Sequence, residues 1–146
     1  VMVGPGVTVE NEALQGWIAA SGCADRIHLL GERPDVPQVT AALDIATCAS
    51  YSESSPHVVG EAMACGVPCV VTDVGDAAVM VADTGLVVPP RDAAAMAAAW
   101  RELLALPLAQ RQELGHRART RIEEHYSLEQ IVARYAAAWK QAAARA

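Results

Sequence analysis

Between Ser50 and Gly75 a polar loop, a short apolar helix and a β-branched strand follow one another directly, an order that suits half of a βαβ unit and little else. Ser55 before Pro56 predicts a helix start, because a serine hydroxyl can cap orphan amides and proline loses nothing in the first turn. His57 to Cys65 is the expected helix. Gly66 supplies its stop, Pro68 forbids continuation, and Cys69-Val70-Val71-Thr72 reads as a buried parallel strand.

Glu61 is the one full charge between Glu53 and Asp73. On a helix whose other side chains suggest burial, an unpaired carboxylate would be protonated or hydrogen-bonded, and the vicinal hydroxyls of a ribose would satisfy both its oxygens. The bland alternative is a carboxylate that reaches solvent. The helix start adds an anion site, since the free amides around His57 and Val58 and the helix dipole both favour a phosphate. Glu61 lies about 7 Å further along the axis at about 1.5 Å per residue, a nucleotide-sized separation.

The rest of the chain repeats the same alternation. Val1-Met2-Val3 reads as the tail of a strand that breaks at Gly4-Pro5-Gly6, and Asn11 starts a helix with Leu14, Trp17 and Ile18 on one face and Gly22 as its stop. Gly4-x-Gly6 lacks the third glycine of a dinucleotide fingerprint, which Val9 replaces. Ile27 to Leu30 is a second strand, Val36 to Leu43 a short helix, Ile45 to Ala49 a third strand, and Leu86 to Val88 a fifth after Cys69 to Thr72. About five parallel strands with right-handed crossovers and helices on both faces are expected, a Rossmann-like α/β fold whose ligands bind beyond the carboxyl ends of the strands. Gly31 to Arg33 and Ser50 to Ser55 lie there, and Arg33 could meet a base or phosphate as readily as solvent. Asp92 should cap a helix with a core stripe of Met96, Ala99, Trp100, Leu103 and Leu104, closed by Pro107. Residues 109–126 read as a charged helix with a solvated face. Ser127 with Gln130 forms a capping box before an apolar face of Leu128, Ile131, Val132, Tyr135 and Trp139.

Glu53 precedes Glu61 by eight positions. Glu-x7-Glu followed by Ala-Met-Ala-Cys-Gly-Val-Pro-Cys-Val-Val-Thr-Asp-Val-Gly resembles the signature of family 4 (group 1) retaining glycosyltransferases of the GT-B fold. Val3-Gly4-Pro5-Gly6, Ile27-His28-Leu29-Leu30-Gly31, Ala42-Leu43-Asp44 and Asp83-Thr84-Gly85-Leu86-Val87-Val88-Pro89-Pro90 follow in the order of that family's C-terminal, donor-binding domain. The resemblance implies that residues 1–146 are this domain alone, incomplete at its N-terminus, and that the ligand is a nucleoside diphosphate (NDP) sugar. Glu53 would then be the catalytic residue contacting the transferred sugar and Glu61 the ribose holder. Ser54, Ser55, Pro56, His57, Val58 and Val59 would meet sugar and diphosphate, with Gly4, Gly6 and Arg33 completing the donor-binding set. Family members commonly show Glu-Gly-Phe-Pro-Asn where this chain has Glu53-Ser54-Ser55-Pro56-His57, and an acidic residue where Val79 stands, so the donor sugar is left open. The family's phosphate-binding Arg and Lys and its acceptor domain fall outside these residues, and this stretch alone is not expected to turn over. In the family the final helix packs back towards the N-terminal domain, which would leave part of the Tyr135 and Trp139 face exposed without it. A GT-B sugar-nucleotide epimerase and a non-catalytic nucleotide-binding module are the rival readings.

Composition limits the alternatives. A chain of 146 residues fits one domain, and 53% hydrophobic content with 4% aromatic and no Phe predicts a core of small aliphatic side chains. A net charge of -6 argues against a nucleic-acid partner. No apolar run is long enough for a transmembrane segment and no signal peptide is evident, which suggests a cytoplasmic protein that could also sit at a membrane periphery. Cys23, Cys48, Cys65 and Cys69 form no C-x-x-C pair and read as free thiols. His28, His57, His116 and His125 have no zinc spacing. Asp73 and Asp76 do not form the Asp-x-Asp pair of metal-dependent transferases, so no metal or other cofactor is expected.

Overall fold

The computed structural model describes residues 1–145. The chain divides into two compact units, Val1–Val39 and the chain from Thr40 onward.

In the first unit, the Asn11 side-chain oxygen accepts from the Leu14 backbone amide at 3.2 Å and caps α1 (Glu12–Ala20), while its side-chain Nδ2 donates to the Gly6 carbonyl. Of the predicted face, Ile18 is buried but Trp17 is 73% exposed, so the apolar stripe is narrower than its spacing implies. The strands expected at Val1–Val3 and Ile27–Leu30 contract to one parallel bridge, Met2 to Leu29. Gly4 (φ 141°) and Gly31 (φ 65°) leave the β region and end the ladder on both sides, with the Gly4 amide donating to the Gly31 carbonyl. A 3₁₀ turn, Ala24–Arg26, precedes the bridge, and α2 (Val36–Ala41) carries the chain into the second unit.

The second unit is built on a three-stranded parallel sheet, β1 (Ala46–Cys48), β2 (Cys69–Thr72) and β3 (Leu86–Val88), in the order β1-β2-β3. Three strands and a bridge therefore stand where five strands are expected from sequence; the α/β class and the parallel sheet hold. All four residues of β2 are buried, as its β-branched run requires of a central strand. Alternation then divides the core. Cys69 and Val71 face Val59, Ala62 and Met63 of α3 (His57–Ala64) and Met80 of α4 (Ala77–Val81), whereas Val70 faces Met96, Ala99 and Leu103 of α5 (Ala93–Ala105). Two successive crossovers put α3 and α4 on one face of the sheet, and α5, which follows β3, lies on the other. Asp92 caps α5 by accepting from the Ala95 amide at 2.8 Å. Trp100 and Leu104, expected in its stripe, turn to the margin, where the Trp100 indole donates to the Thr47 hydroxyl at 2.9 Å.

The helix α6 (Leu108–His125) crosses the exit of α3 at Gly115, where an added Cβ would lie 2.0 Å from the Gly66 carbonyl oxygen. Its arginines correct the expectation of a merely solvated face. Arg111 pairs with Asp44 at 2.8 Å, Arg117 pairs with Asp83, and Arg121 donates to the Val79 and Met80 carbonyls. They bind α6 to the turns around it. Ser127 accepts from the Gln130 amide and caps α7 (Leu128–Ala143), whose Leu128, Val132, Tyr135 and Trp139 are 56–73% exposed. None of the four cysteines is in a disulfide; Cys48 and Cys69 are buried, Cys65 is half-buried and Cys23 is exposed. Burial, helped by the neighbouring Cys48, pushes the Cys69 thiol up to about 12. No helix of the described residues is long and apolar enough to cross a membrane.

Candidate functional site

All three strands release their loops at one edge of the sheet, so residues 49–56, 73–76 and 89–92 meet there. Side chain and backbone tie them together. The Thr72 hydroxyl, at the end of the central strand, donates to the Ser50 carbonyl at 2.7 Å; the Asp73 amide donates to the Val88 carbonyl at 2.8 Å; and the Asp76 amide donates to the Ser54 carbonyl at 2.8 Å. Gly75 (φ 53°) lies against the backbone of the first loop, where a Cβ would come 2.4 Å from the Glu53 oxygen and 2.5 Å from that of Ser54. Only glycine fits this approach. Above it, the Arg91 guanidinium stands 5.2 Å from the centre of the exposed Tyr51 ring and so bridges the loops of the two outer strands.

Glu53 is half-buried in this frame, and one of its carboxylate oxygens accepts from the Ser50 hydroxyl at 2.7 Å. Ser54 and Ser55 are exposed, whereas Pro56 is buried. Pro56, not Ser55, occupies the cap position of α3, and no side chain caps the helix. Proline's fixed φ also suits a cap followed by a tight first bond, here the Val59 amide to the Pro56 carbonyl at 3.0 Å. The amides of His57 and Val58 are left without a protein partner among the described residues. Val59 is 2% exposed and its side chain belongs to the core, which leaves only its backbone near the helix start.

Glu61 corrects the expectation of burial. The core takes Val59, Ala62 and Met63, an i, i+3, i+4 stripe, and the opposite face presents His57, Val58, Glu61 and Ala64 to solvent. The Glu61 carboxylate has no hydrogen bond or ion pair among the described residues and shares its face with the two free amides. In the first unit, Gly4 and Gly6 (φ 72°) shape the turn after Val3. There the Arg33 fork is occupied, its Nε and terminal nitrogen donating to the two Asp35 oxygens at 2.7 and 2.6 Å. That partner raises the Arg33 pKa and lowers that of Asp35.

Sequence reasoning missed Thr72, Tyr51 and Arg91. The Tyr51–Arg91 contact joins residues forty positions apart and carries no local signal. Two grooves of about 300 and 330 Å³ open beside α6 at the opposite edge of the sheet, but their arginines are already engaged, Arg117 by Asp83 and Arg111 by Asp44.

Known proteins are similar to this chain in both sequence and fold. The sequence model of the family "Glycosyl transferases group 1" matches residues 1–106. The chain is 35% identical over 113 residues to N-acetyl-alpha-D-glucosaminyl L-malate synthase of Bacillus anthracis, covering 76% of this chain and 29% of that protein. Sucrose-phosphate synthase from Thermosynechococcus elongatus superposes with a TM-score of 0.83 at 30% identity, over 94% of this chain and 35% of that one. HepE of Anabaena, solved with UDP, superposes with a TM-score of 0.83 at 25% identity, over 95% of this chain and 40% of that one, and it has also been solved with UDP-glucose. The chain spans 22–29% of the length of the curated relatives it matches.

Proposed function

The chain belongs to the glycosyl transferases group 1 family, and from that premise we propose that it is the donor-binding part of a retaining glycosyltransferase that moves a sugar from an NDP-sugar to an acceptor. The observation that carries this reading is the exposed face of α3. Two unpartnered amides at a helix start lie on the same face as an unpartnered carboxylate one turn further on, at the carboxyl edge of a parallel sheet. The amides of His57 and Val58 receive the diphosphate, and Glu61 accepts from the ribose hydroxyls. Ser54, Ser55 and Glu53, on the loop leading into the helix, face the sugar. HepE, which shares the fold at 25% identity, binds UDP and UDP-glucose, a ligand of the same chemistry.

In the transfer, the bond from the anomeric carbon to the diphosphate oxygen breaks while a bond to the acceptor oxygen forms with the same anomeric configuration, and the proton of the acceptor hydroxyl leaves with the departing diphosphate or to solvent. Charge develops on the leaving diphosphate, and fixed donors aimed at it lower the barrier. The acceptor, a glycan, lipid or small molecule, is held by a part of the protein outside this chain, in the cytoplasm and, for a lipid acceptor, at the membrane surface. The test is titration of the full-length protein with UDP-, GDP- and ADP-sugars and the corresponding nucleotides, followed by NMR of the product's anomeric centre. Binding of one NDP-sugar and a retained configuration are expected. Failure of every sugar nucleotide to bind removes the transferase reading, and an isomerised sugar nucleotide as product would make the protein an epimerase.

A further inference from the structure

Glu53 is mounted from two sides. The Ser50 hydroxyl sits between the Cys48 thiol, 3.5 Å away, and one Glu53 carboxylate oxygen, to which it donates at 2.7 Å. Ser50 is itself fixed, because its carbonyl accepts from the hydroxyl of Thr72, a residue 3% exposed at the end of the central strand. The line Thr72, Ser50, Glu53 thus runs from the most buried strand to a carboxylate at the loop. From the other side Gly75 closes on the Glu53 backbone to within the space of a single Cβ, and the next amide holds the Ser54 carbonyl. A carboxylate that merely met solvent would gain nothing from this arrangement. Its second oxygen has no partner among the described residues, so the hydrogen bond to the first sets the direction in which the second points.

We propose that Ser50 is a positioning residue that aims the free oxygen of Glu53 at the donor's sugar, with Gly75 fixing the backbone from which it is aimed. The inference rests on the reading of Glu53 as the residue that meets the sugar. Preorganisation of this kind acts on the sugar and not on the nucleotide, and small displacements of a reacting group cost large factors in rate.

The test uses the full-length protein and the sugar nucleotide, among UDP-, GDP- and ADP-glucose and -mannose, that the wild type binds best. Ser50→Ala should leave affinity for the free nucleotide within twofold and lower kcat/KM for the sugar nucleotide about tenfold, the scale of one hydrogen bond to a charged group. Ser50→Thr, which keeps the hydroxyl, should restore most of the loss. Gly75→Ala, if it folds, should lower kcat with little change in affinity for the nucleotide; if it does not, the Ser50 pair still decides. An unchanged Ser50→Ala beside a Glu53→Gln variant that loses the sugar-dependent part overturns the positioning role and leaves the donor-site reading standing. Equal losses for nucleotide and sugar nucleotide, with no rescue by threonine, overturn it in favour of a scaffold role. A wild type that binds no sugar nucleotide overturns both.

Discussion

Glu61 has no partner among the described residues, so replacing it should cost the fold little. Glu61→Gln should change stability by no more than about 0.5 kcal/mol, as for other exposed positions away from caps and networks. If the carboxylate serves a ribose, affinity for the nucleoside diphosphate should nevertheless fall by about 1.5 to 3 kcal/mol, and a 2′,3′-dideoxy nucleotide should bind wild type and variant alike. Calorimetric titration of both ligands checks this; equal losses for the two would make Glu61 a bystander. The residue type and its place on α3 were legible in sequence but its environment was not, because Val58 and Ala64, apolar neighbours that suggest burial, lie on the exposed face with it. Cys69 gives a prediction in the opposite setting. Its thiol is held neutral up to about 12 in the folded chain, against an ordinary value of 9.0. Above pH 9 the unfolded state loses a proton that the folded state keeps, so stability must fall as pH rises from about 9 to 12, by up to about 1.4 kcal/mol per unit for this group. Cys69→Ala, though less stable at neutral pH because of the cavity, should show a shallower decline in Tm over that window. Parallel declines would remove the thiol as the cause.

At the scale of elements, α6 is placed by a near-contact and not by an apolar stripe. Gly115 passes so close to Gly66 that a methyl group would meet the carbonyl oxygen at 2.0 Å and the Pro68 ring at 3.5 Å, and backbone cannot move aside as a flexible side chain would. Gly115→Ala should therefore destabilise the protein by roughly 1 to 3 kcal/mol, the range for overpacking, although alanine is the better helix former by about 1 kcal/mol. Denaturant unfolding checks the sign, and a stabilised variant would show that α6 can shift. Sequence reading gave α6 its length but treated its arginines as solvated, because Asp44, Asp83 and Met80, which engage Arg111, Arg117 and Arg121, lie 34 to 67 positions away. Local signals did better. Asn11, Asp92 and Ser127 cap their helices as their positions predict, since a cap is decided within four residues. Ser55 before Pro56 failed as a cap by one position, the usual uncertainty of a helix boundary.

For the molecule as a whole, the parallel α/β plan was legible because each strand and the helix after it are a local pattern. The number of strands was not, because a ladder lasts only as long as both partners stay extended, and Gly4 and Gly31 end the pairing within the first unit after one bridge. On the proposed donor-site reading, the same plan bears on how a diphosphate would be held. A parallel sheet with its loops at one edge brings helix starts to the ligand, and the unpaired amides of α3 with the helix dipole, equivalent to about half a positive charge, can offset part of the phosphate charge. Asp73 and Asp76, the acidic residues of the next loop, stand three positions apart, and the Asp76 amide is committed to Ser54. Their spacing does not supply the Asp-x-Asp pair of metal-dependent transferases. We therefore expect the full-length protein to keep its affinity for sugar nucleotide and its turnover within twofold after dialysis against EDTA, with no gain on adding magnesium or manganese. Raising salt should weaken nucleoside diphosphate more than the uncharged nucleoside, because ions screen the attraction between the helix start and the phosphates. Activity that vanishes with EDTA and returns with manganese would mean that the diphosphate is carried by a metal ion and that the helix start is not its main support.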